Sequence, residues 1–132
     1  AVADYTPTQP HSGKLKKDVA GNTMTVELSR TTDILAHVGA HKTANQYVVG
    51  FALEHDNLIE YATKKLATKN ADMIVANAAG QPDAGFGGER NTMTILTKTS
   101  NPRPVPTASK RDCARAMFDA IENDLDNRGG RQ

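Results

Sequence analysis

The chain has 132 residues, and its 16 Lys and Arg against 15 Asp and Glu leave a formal net charge of +1. That balance argues against a strongly basic nucleic-acid-binding protein, and no apolar run reaches the roughly 20 residues of a membrane-spanning helix. The single cysteine, Cys113, excludes an internal disulfide and a multi-cysteine zinc site. It is typical of a reducing compartment, which predicts a cytoplasmic location.

The first thirty residues predict strands and turns. Residues 1–5 are typical of the end of a buried strand, so we expect the fold to begin upstream of Ala1, and the prolines and glycine of 6–13 predict a loop. Residues 14–18 and 24–28 alternate polar and apolar side chains around Gly21-Asn22, which predicts two half-buried antiparallel strands.

The middle of the chain predicts a strand–helix–strand unit. Thr31, Thr32 and Asp33 can cap a helix over about 33–41, with Ile34, Leu35 and Val38 on one side. The apolar run 47–52 predicts a central parallel strand covered on both faces. Asn57 and Glu60 predict a capping box for the next helix, and 71–77 predicts a second buried strand. This spacing is typical of one right-handed crossover unit.

The last third predicts a strand and a long helix. Residues 79–91 are rich in glycine and predict a loop, and 92–98 alternate as a strand. Prolines 102, 104 and 106 then interrupt the chain. Thr107 or Ser109 caps a helix to about Asn127, and 128–132 are expected to be a disordered tail. The expected core stripe of this helix is Cys113, Ala114, Met117, Phe118 and Ile121.

Two lysines stand out on the helix that begins at Asn57. Its apolar stripe is Leu58, Ile59, Ala62 and Leu66. Lys65 and Lys69 fall on or beside that stripe rather than opposite it, and they are i,i+4 neighbours whose charges repel. One interpretation is an anion between them, most simply a phosphate. The alternative is two last-turn lysines that complement the helix dipole and extend past apolar neighbours.

Other candidate groups give weaker signals. Lys14, Lys16 and Lys17 fit either an edge strand protected by charge or a mobile flap over a phosphate. His37 and His41 have a metal-chelating i,i+4 spacing without an evident third ligand, which favours ordinary surface histidines. The glycines of 85–88 predict a tight turn, Cys113 predicts inert packing, and Glu122, Asp124 and Asp126 predict a solvated helix end. The spacing yields no nucleophile–base–acid triad.

Seven short segments, in order, resemble a known family. They are Ala3-Asp4-Tyr5, Lys14-Leu15-Lys16-Lys17, Thr32-Asp33-Ile34-Leu35-Ala36, Val48-Val49-Gly50-Phe51-Ala52, Tyr61-Ala62 with Lys65 and Lys69, Ile74-Val75-Ala76-Asn77 and Gly85-Phe86-Gly87. The sequence resembles bacterial phosphopantothenoylcysteine synthetase, the C-terminal half of the bifunctional coenzyme A biosynthesis flavoprotein. The resemblance covers residues 1 to about 122.

The resemblance implies a fold and an activity. The fold would be the C-terminal portion of a Rossmann-like three-layer α/β domain, ending near residue 127, with the N-terminal strands missing. Residues 14–28 would be inserted as flap and dimerisation strands, and 92–98 could also pair across a dimer axis. The enzyme would be a ligase that joins 4'-phosphopantothenate to cysteine through an acyl-cytidylate, with CTP as co-substrate and Mg²⁺ beside the nucleotide.

The resemblance also implies site residues and partners. The nucleotide-binding residues would be Asp4, Lys14, Thr32, Asp33, Ile34, Leu35, Phe51, Lys65 and Lys69. Lys14 would also be catalytic in the second half-reaction, and Asn77 would bind substrate. A homodimer and a fused N-terminal decarboxylase domain are expected, with FMN only in that separate domain and no nucleic-acid or membrane partner. The alternative function is a non-catalytic nucleotide-binding or dimerisation fragment of the same enzyme.

Overall fold

A computed structural model describes residues 2–14, 23–79 and 88–129. The chain divides into two compact units, Ala1–Ile34 and Leu35–Gln132. The predicted strand after Lys14, the Gly21-Asn22 turn and most of the 85–88 glycine turn lie outside the described residues.

The first unit contains two short antiparallel strands, β1 (Tyr5–Pro7) and β2 (Leu28–Arg30). The prediction of a strand over 24–28 was wrong except at Leu28, because residues 23–27 form no ladder. The predicted loop over 6–13 also begins too early, since Thr6 and Pro7 belong to β1. Val2 and Tyr5 are exposed, so this segment does not show the buried strand end that its apolar residues predicted.

The second unit is built on a four-stranded mixed sheet with strand order β3-β4-β5-β6. Strands β3 and β4 are parallel, and the other two pairings are antiparallel. The strands are β3 (Val49–Glu54), β4 (Met73–Ala78), β5 (Arg90–Thr97) and β6 (Arg103–Ser109). The helices are α1 (Ile34–His41), which begins at the last residue of the first unit, α2 (Leu58–Thr68) and α3 (Lys110–Gly129).

Helices cover both faces of strand β4. One apolar cluster packs Ala62 and Leu66 of α2 against Ile74 and Ala76, and another packs Cys113 and residues of α3 against the opposite face. A strand buried on both sides needs a continuous apolar run, which residues 73–76 provide. The predicted α/β class and the strand–helix–strand unit are therefore confirmed.

Strand β3 lies at the edge of the described sheet, and the prediction of a central strand covered on both faces was wrong here. Its side chains alternate, with Gly50 and Ala52 buried and Phe51 and Leu53 exposed. Strand β5, in contrast, is hydrogen-bonded to strands on both sides. Within the described sheet, β5 is therefore an interior strand, which corrects the expectation of an exposed strand at 92–98.

The sequence does not predict strand β6, because its prolines indicate a break in the chain. Pro104 and Pro106 lie within β6, which pairs only with β5 among the described strands. Proline has no N–H to donate and is tolerated where one strand edge needs no partner. The buried Val105 between the prolines anchors β6 to the core.

Helix α3 begins at Lys110, directly after Ser109, which is one of the two predicted caps. The Ser109 Oγ accepts a hydrogen bond from the Asp112 N–H at 3.1 Å. The predicted end at Asn127 is two residues short, because Arg128 and Gly129 are helical rather than part of a tail, and 130–132 lie outside the described residues. Phe118 was wrongly placed in the core, being 60% exposed, whereas the acidic Asp124 is only 3% exposed.

Helices α1 and α2 begin within a residue or so of their predicted positions. The capping box at α2 was wrong, because Asn57 is left-handed with φ 50° and its side chain makes no cap hydrogen bond. Three apolar residues assigned to inner stripes are exposed at 41–52%: Ile34, Val38 and Ile59. Leu35 of the predicted stripe is partly buried against the core, and the fully buried residue of α1 is Gly39.

Candidate functional site

Lys65 contacts the edge strand of the sheet. Its Nζ donates a hydrogen bond of 2.9 Å to the carbonyl oxygen of Phe51 on β3. Lys65 and Lys69 are both half-buried, whereas Lys64, which directly precedes Lys65, is exposed. The helical-wheel prediction that Lys65 and Lys69 lie on the inner edge of α2 is thus confirmed, and their role in binding an anion stays a prediction.

The Phe51 ring lies on the other side of the same strand. The α2 helix packs on the face of Ala52, so the side chains of Phe51 and Leu53 project from the opposite face. They are 61% and 51% exposed. An exposed aromatic ring on an ordered strand is suited to stacking against a planar group such as a nucleotide base.

Helix α1 is held against β3 and the end of α2. A Cβ at Gly50 would lie 2.6 Å from Leu35 Cδ2, so the Leu35 side chain covers this glycine directly. A Cβ at Gly39 would lie 1.8 Å from the Lys69 carbonyl oxygen, and Asn70 Nδ2 donates 2.9 Å to the Gly39 carbonyl. Leu35 lies on α1, and Lys69 directly follows α2. These two predicted nucleotide-site residues therefore lie on segments whose backbones are in close contact.

Within the first unit, Asp4 is linked to the segment that leads into the predicted nucleotide-binding turn. The Thr31 N–H donates 2.9 Å to the Asp4 carbonyl, and Thr31 Oγ1 donates 2.6 Å to the Ala3 carbonyl. Asp4 is thereby held next to the predicted turn of Thr32, Asp33 and Ile34, all of which are exposed. Lys14 is exposed at the end of a described range, and its catalytic role stays a prediction.

Asn77 lies near the carboxyl end of β4 and is paired with Leu53 of β3 in the parallel register. It is therefore on the same face of the sheet as Phe51, two residues further along. Its Oδ1 accepts a hydrogen bond of 3.3 Å from Asn91 Nδ2 on β5. Asn91 was not identified from the sequence, because an asparagine at the start of a strand after a glycine-rich loop looks like a turn residue.

A buried polar cluster lies at the amino ends of β3 and β4, and sequence reasoning missed it. Asp72 accepts hydrogen bonds from Lys42 Nζ at 2.6 Å, the Val48 N–H at 2.9 Å and Arg128 Nη1 at 2.9 Å. Arg128 also contacts Asp124 at 2.7 Å. Burial alone would raise the pKa of Asp72, but these hydrogen bonds outweigh it and lower that pKa.

Asp124 ties α3 to neighbouring segments. Its carboxylate accepts a hydrogen bond of 2.8 Å from the Tyr47 hydroxyl and one from Thr99 Oγ1. Burial, together with the Asp124 carboxylate, raises the pKa of Tyr47. The prediction of a solvated Asp124 was wrong, and the only sequence signal was an i,i+4 pair with Arg128. Every charge of this cluster has a partner, which is typical of a structural role.

The histidine pair on α1 shows ordinary helix-surface packing. The rings of His37 and His41 stack at 4.3 Å, and His41 Nδ1 is 2.8 Å from the His37 carbonyl oxygen. Within residues 2–14, 23–79 and 88–129, no group of three or more His, Cys, Asp or Glu side chains could hold a metal ion. In the same ranges, no helix has the length and apolarity needed to cross a membrane.

Comparison with known proteins identifies the family. Residues 1–125 match the family model described as the DNA/pantothenate metabolism flavoprotein C-terminal domain. The coenzyme A biosynthesis bifunctional protein CoaBC of Bacillus subtilis (strain 168) is 47% identical over 121 residues, which are 92% of this chain and 29% of that protein. CoaBC of Escherichia coli (strain K12) is 34% identical over 132 residues, 99% of this chain and 32% of that protein.

A solved structure agrees with the sequence comparison. The crystal structure of the C-terminal domain of CoaBC aligns with a TM-score of 0.70 and 36% identity, covering 96% of this chain and 52% of the solved one. The chain belongs to the DNA/pantothenate metabolism flavoprotein C-terminal domain family, as the resemblance implied. It spans about a third of the curated relatives and about half of the solved domain.

Proposed function

We propose that the chain is part of a ligase of coenzyme A biosynthesis that uses CTP to join 4'-phosphopantothenate to cysteine. The observation that carries the proposal is the hydrogen bond between Lys65 Nζ and the Phe51 carbonyl. It brings together two residues that the family resemblance assigns to nucleotide binding. Lys65 and Lys69 share the half-buried side of α2, as two cations for one polyphosphate would require.

The proposed reaction has two steps that need no protein nucleophile. The substrate carboxylate attacks the α-phosphorus of CTP, a carboxyl–phosphate bond forms, and pyrophosphate leaves. The cysteine amine then attacks the acyl carbon, loses a proton, and CMP leaves. The first step joins two anions, so cations that offset the developing charge lower its barrier. This is the work proposed for Lys65 and Lys69, and Lys14 would serve the second step.

Mg²⁺ fits the proposal as a companion of the nucleotide. Magnesium commonly binds substrate phosphates with only one or two protein carboxylates, so it needs no dedicated cluster of acidic side chains. The described residues hold no such cluster. Bound to the phosphates, Mg²⁺ would neutralise charge and orient the leaving pyrophosphate.

The test is the affinity for CTP with Mg²⁺ of a matched pair of lysine variants. Lys65→Met removes the half-buried cation, and Lys64→Met removes the neighbouring exposed one. Hydrogen bonds to charged groups contribute about 1.5–3 kcal/mol, so Lys65→Met should weaken the Kd by roughly 10- to 150-fold. Lys64→Met should change it by less than about twofold.

The outcomes separate three cases. If Lys65→Met and Lys64→Met bind CTP with equal affinity, Lys65 does not contribute to nucleotide binding. Equal binding of ATP and CTP would contradict the proposed nucleotide. If the chain binds neither nucleotide, the same titration on a longer protein carrying this chain decides whether the proposal is wrong.

A second candidate is a nucleotide-binding or dimerisation fragment without turnover. The chain covers 52% of the solved C-terminal domain that it matches. CTP binding without pyrophosphate release, when 4'-phosphopantothenate is added, would support it. Release of pyrophosphate and formation of the cysteine amide would refute it.

A further inference from the structure

Asn91 is fixed from several directions at an irregular point of β5. The register of the β5–β6 ladder shifts between Asn91 and Met93. The Asn91 Oδ1 accepts a hydrogen bond of 3.0 Å from the Thr92 N–H, and its Nδ2 donates 3.3 Å to Asn77 Oδ1. The Cys113 thiol of α3 lies 3.5 Å from the Asn91 carbonyl oxygen. The backbone and the side chain of Asn91 are therefore both held in place.

These bonds determine which way the Asn77 amide points. A backbone N–H can only donate, so Thr92 requires the Asn91 amide to turn its oxygen toward it. The NH₂ group of Asn91 then faces Asn77 and requires an acceptor there. Asn77 must present its oxygen to Asn91, and its planar amide places the Nδ2 donor on the other side. Thr92 thus fixes the polarity of Asn77 through two successive hydrogen bonds.

The Asn77 donor lies where α/β sheets bind ligands. Asn77 is one residue from the carboxyl end of β4, and crevices at the carboxyl ends of parallel strands are the usual ligand sites of such sheets. Its partner in the β3–β4 register is Leu53, and it shares a face of the sheet with the exposed Phe51 ring. A ligand on this ring would extend toward the Asn77 amide.

We propose that Asn91 is a positioning residue that holds Asn77 with its Nδ2 as a donor to an oxyanion of a bound substrate. The oxyanion is a phosphate oxygen of the nucleotide or a phosphate or carboxylate oxygen of the acid. The inference rests on the proposed function, since that function supplies both oxyanions. Asn91 itself acts only through Asn77.

Reversal of the amide is the sharpest test. In Asn91→Asp, the carboxylate still accepts the Thr92 N–H but has nothing to donate to Asn77. The Asn77 amide should turn over, give its Nδ2 to Asp and present its oxygen to the ligand. Asn91→Leu removes the hydrogen bond from Asn91 to Asn77 without adding a charge. Asn101→Asp makes the same chemical change at an exposed position of the same unit and is the matched control.

The readout is the Kd of the wild-type protein and each variant for CTP with Mg²⁺ and, separately, for 4'-phosphopantothenate. Both Asn91 variants should raise the Kd for one of the two ligands at least tenfold and the Kd for the other less than twofold. Asn101→Asp should change neither Kd. Loss of fold alone would lower the binding-competent fraction for both ligands equally. In ¹⁵N spectra, the Asn77 side-chain NH₂ signal, assigned by its absence in Asn77→Asp, should shift only with the affected ligand.

The two proposals fail in different ways. If wild-type protein binds CTP but both Asn91 variants match it, or the Asn77 signal does not move with either ligand, Asn91 is not a positioning residue and the proposed function stands. If the wild-type protein, including the longer form that carries this chain, binds neither ligand, the proposed function is refuted, and this inference with it.

Discussion

Replacing Asp72 by asparagine should destabilise the protein strongly. The Asp72 side chain is only 4% exposed and its carboxylate pairs with Lys42 and Arg128. Removing one member of a buried ion pair costs about 3–5 kcal/mol, because the opposite charge is left without compensation. The lower end of this energy range applies here, because the Arg128 side chain is 34% exposed and keeps its ion pair with Asp124. We expect a loss of about 3 kcal/mol.

The assay is urea or thermal unfolding followed by circular dichroism. For a domain of this length, a loss of about 3 kcal/mol corresponds to a fall in Tm of roughly 10 °C. The matched control is Asp126→Asn, the same substitution at an exposed position of α3, which should stay within about 0.5 kcal/mol of wild type. An Asp72→Asn protein within about 1 kcal/mol of wild type would refute the assignment of a stabilising buried cluster.

The same variant should change the pH dependence of stability. The folded-state pKa of Asp72 is lowered, so its ionised form stabilises the fold fully above the unfolded-state pKa of about 4. That contribution is lost as the pH falls through the lower folded-state pKa. The difference in unfolding free energy between wild type and Asp72→Asn should therefore be constant near pH 7 and shrink below about pH 4. A difference independent of pH down to 2 would contradict this account.

Two further predictions concern a close backbone contact and the flap lysine. Gly39→Ala should cost about 2–3 kcal/mol, because its Cβ would lie 1.8 Å from the Lys69 carbonyl oxygen. Gly129→Ala, where a Cβ meets nothing within 4 Å, should be neutral or slightly stabilising in the same unfolding assay, and equal effects would refute the contact. Under the proposed function, Lys14→Gln should slow the second step, so that acyl-cytidylate accumulates and is seen by mass spectrometry. Normal product at the wild-type rate would exclude that role.

The sequence predicted the elements in which local pattern and tertiary environment agree. Strand β4 is apolar because both of its faces are covered, and Lys65 and Lys69 of α2 follow the helical period onto its half-buried side. In both cases one periodicity determines both the element and its orientation. The family resemblance added the candidate site residues, and the structure places Lys65 against Phe51.

Where the sequence misled, a long-range contact overrides a local preference. The prolines of β6 predict a break, but only pairing with β5 shows that an edge strand tolerates them. Asp124 looks solvated in a polar helix end, and its burial depends on Tyr47, 77 residues away. The Asn77–Asn91 pair likewise depends on the strand register. The spacing of residues within a single helix or strand does not indicate such long-range partners.

The two ends of the short strand β4 carry polar groups with different roles. Asp72, beside its first residue, belongs to a closed set of ion pairs, whereas Asn77 near its last residue belongs to the proposed ligand site. At about 3.3 Å per residue, roughly 16 Å separates them, which is far enough for substitutions at the two ends to act additively. Substitutions that change what the carboxyl end recognises should therefore leave the stabilising contacts of the amino end unchanged. Directed evolution of ligand preference in this family can draw on the same separation by leaving the Asp72 end intact.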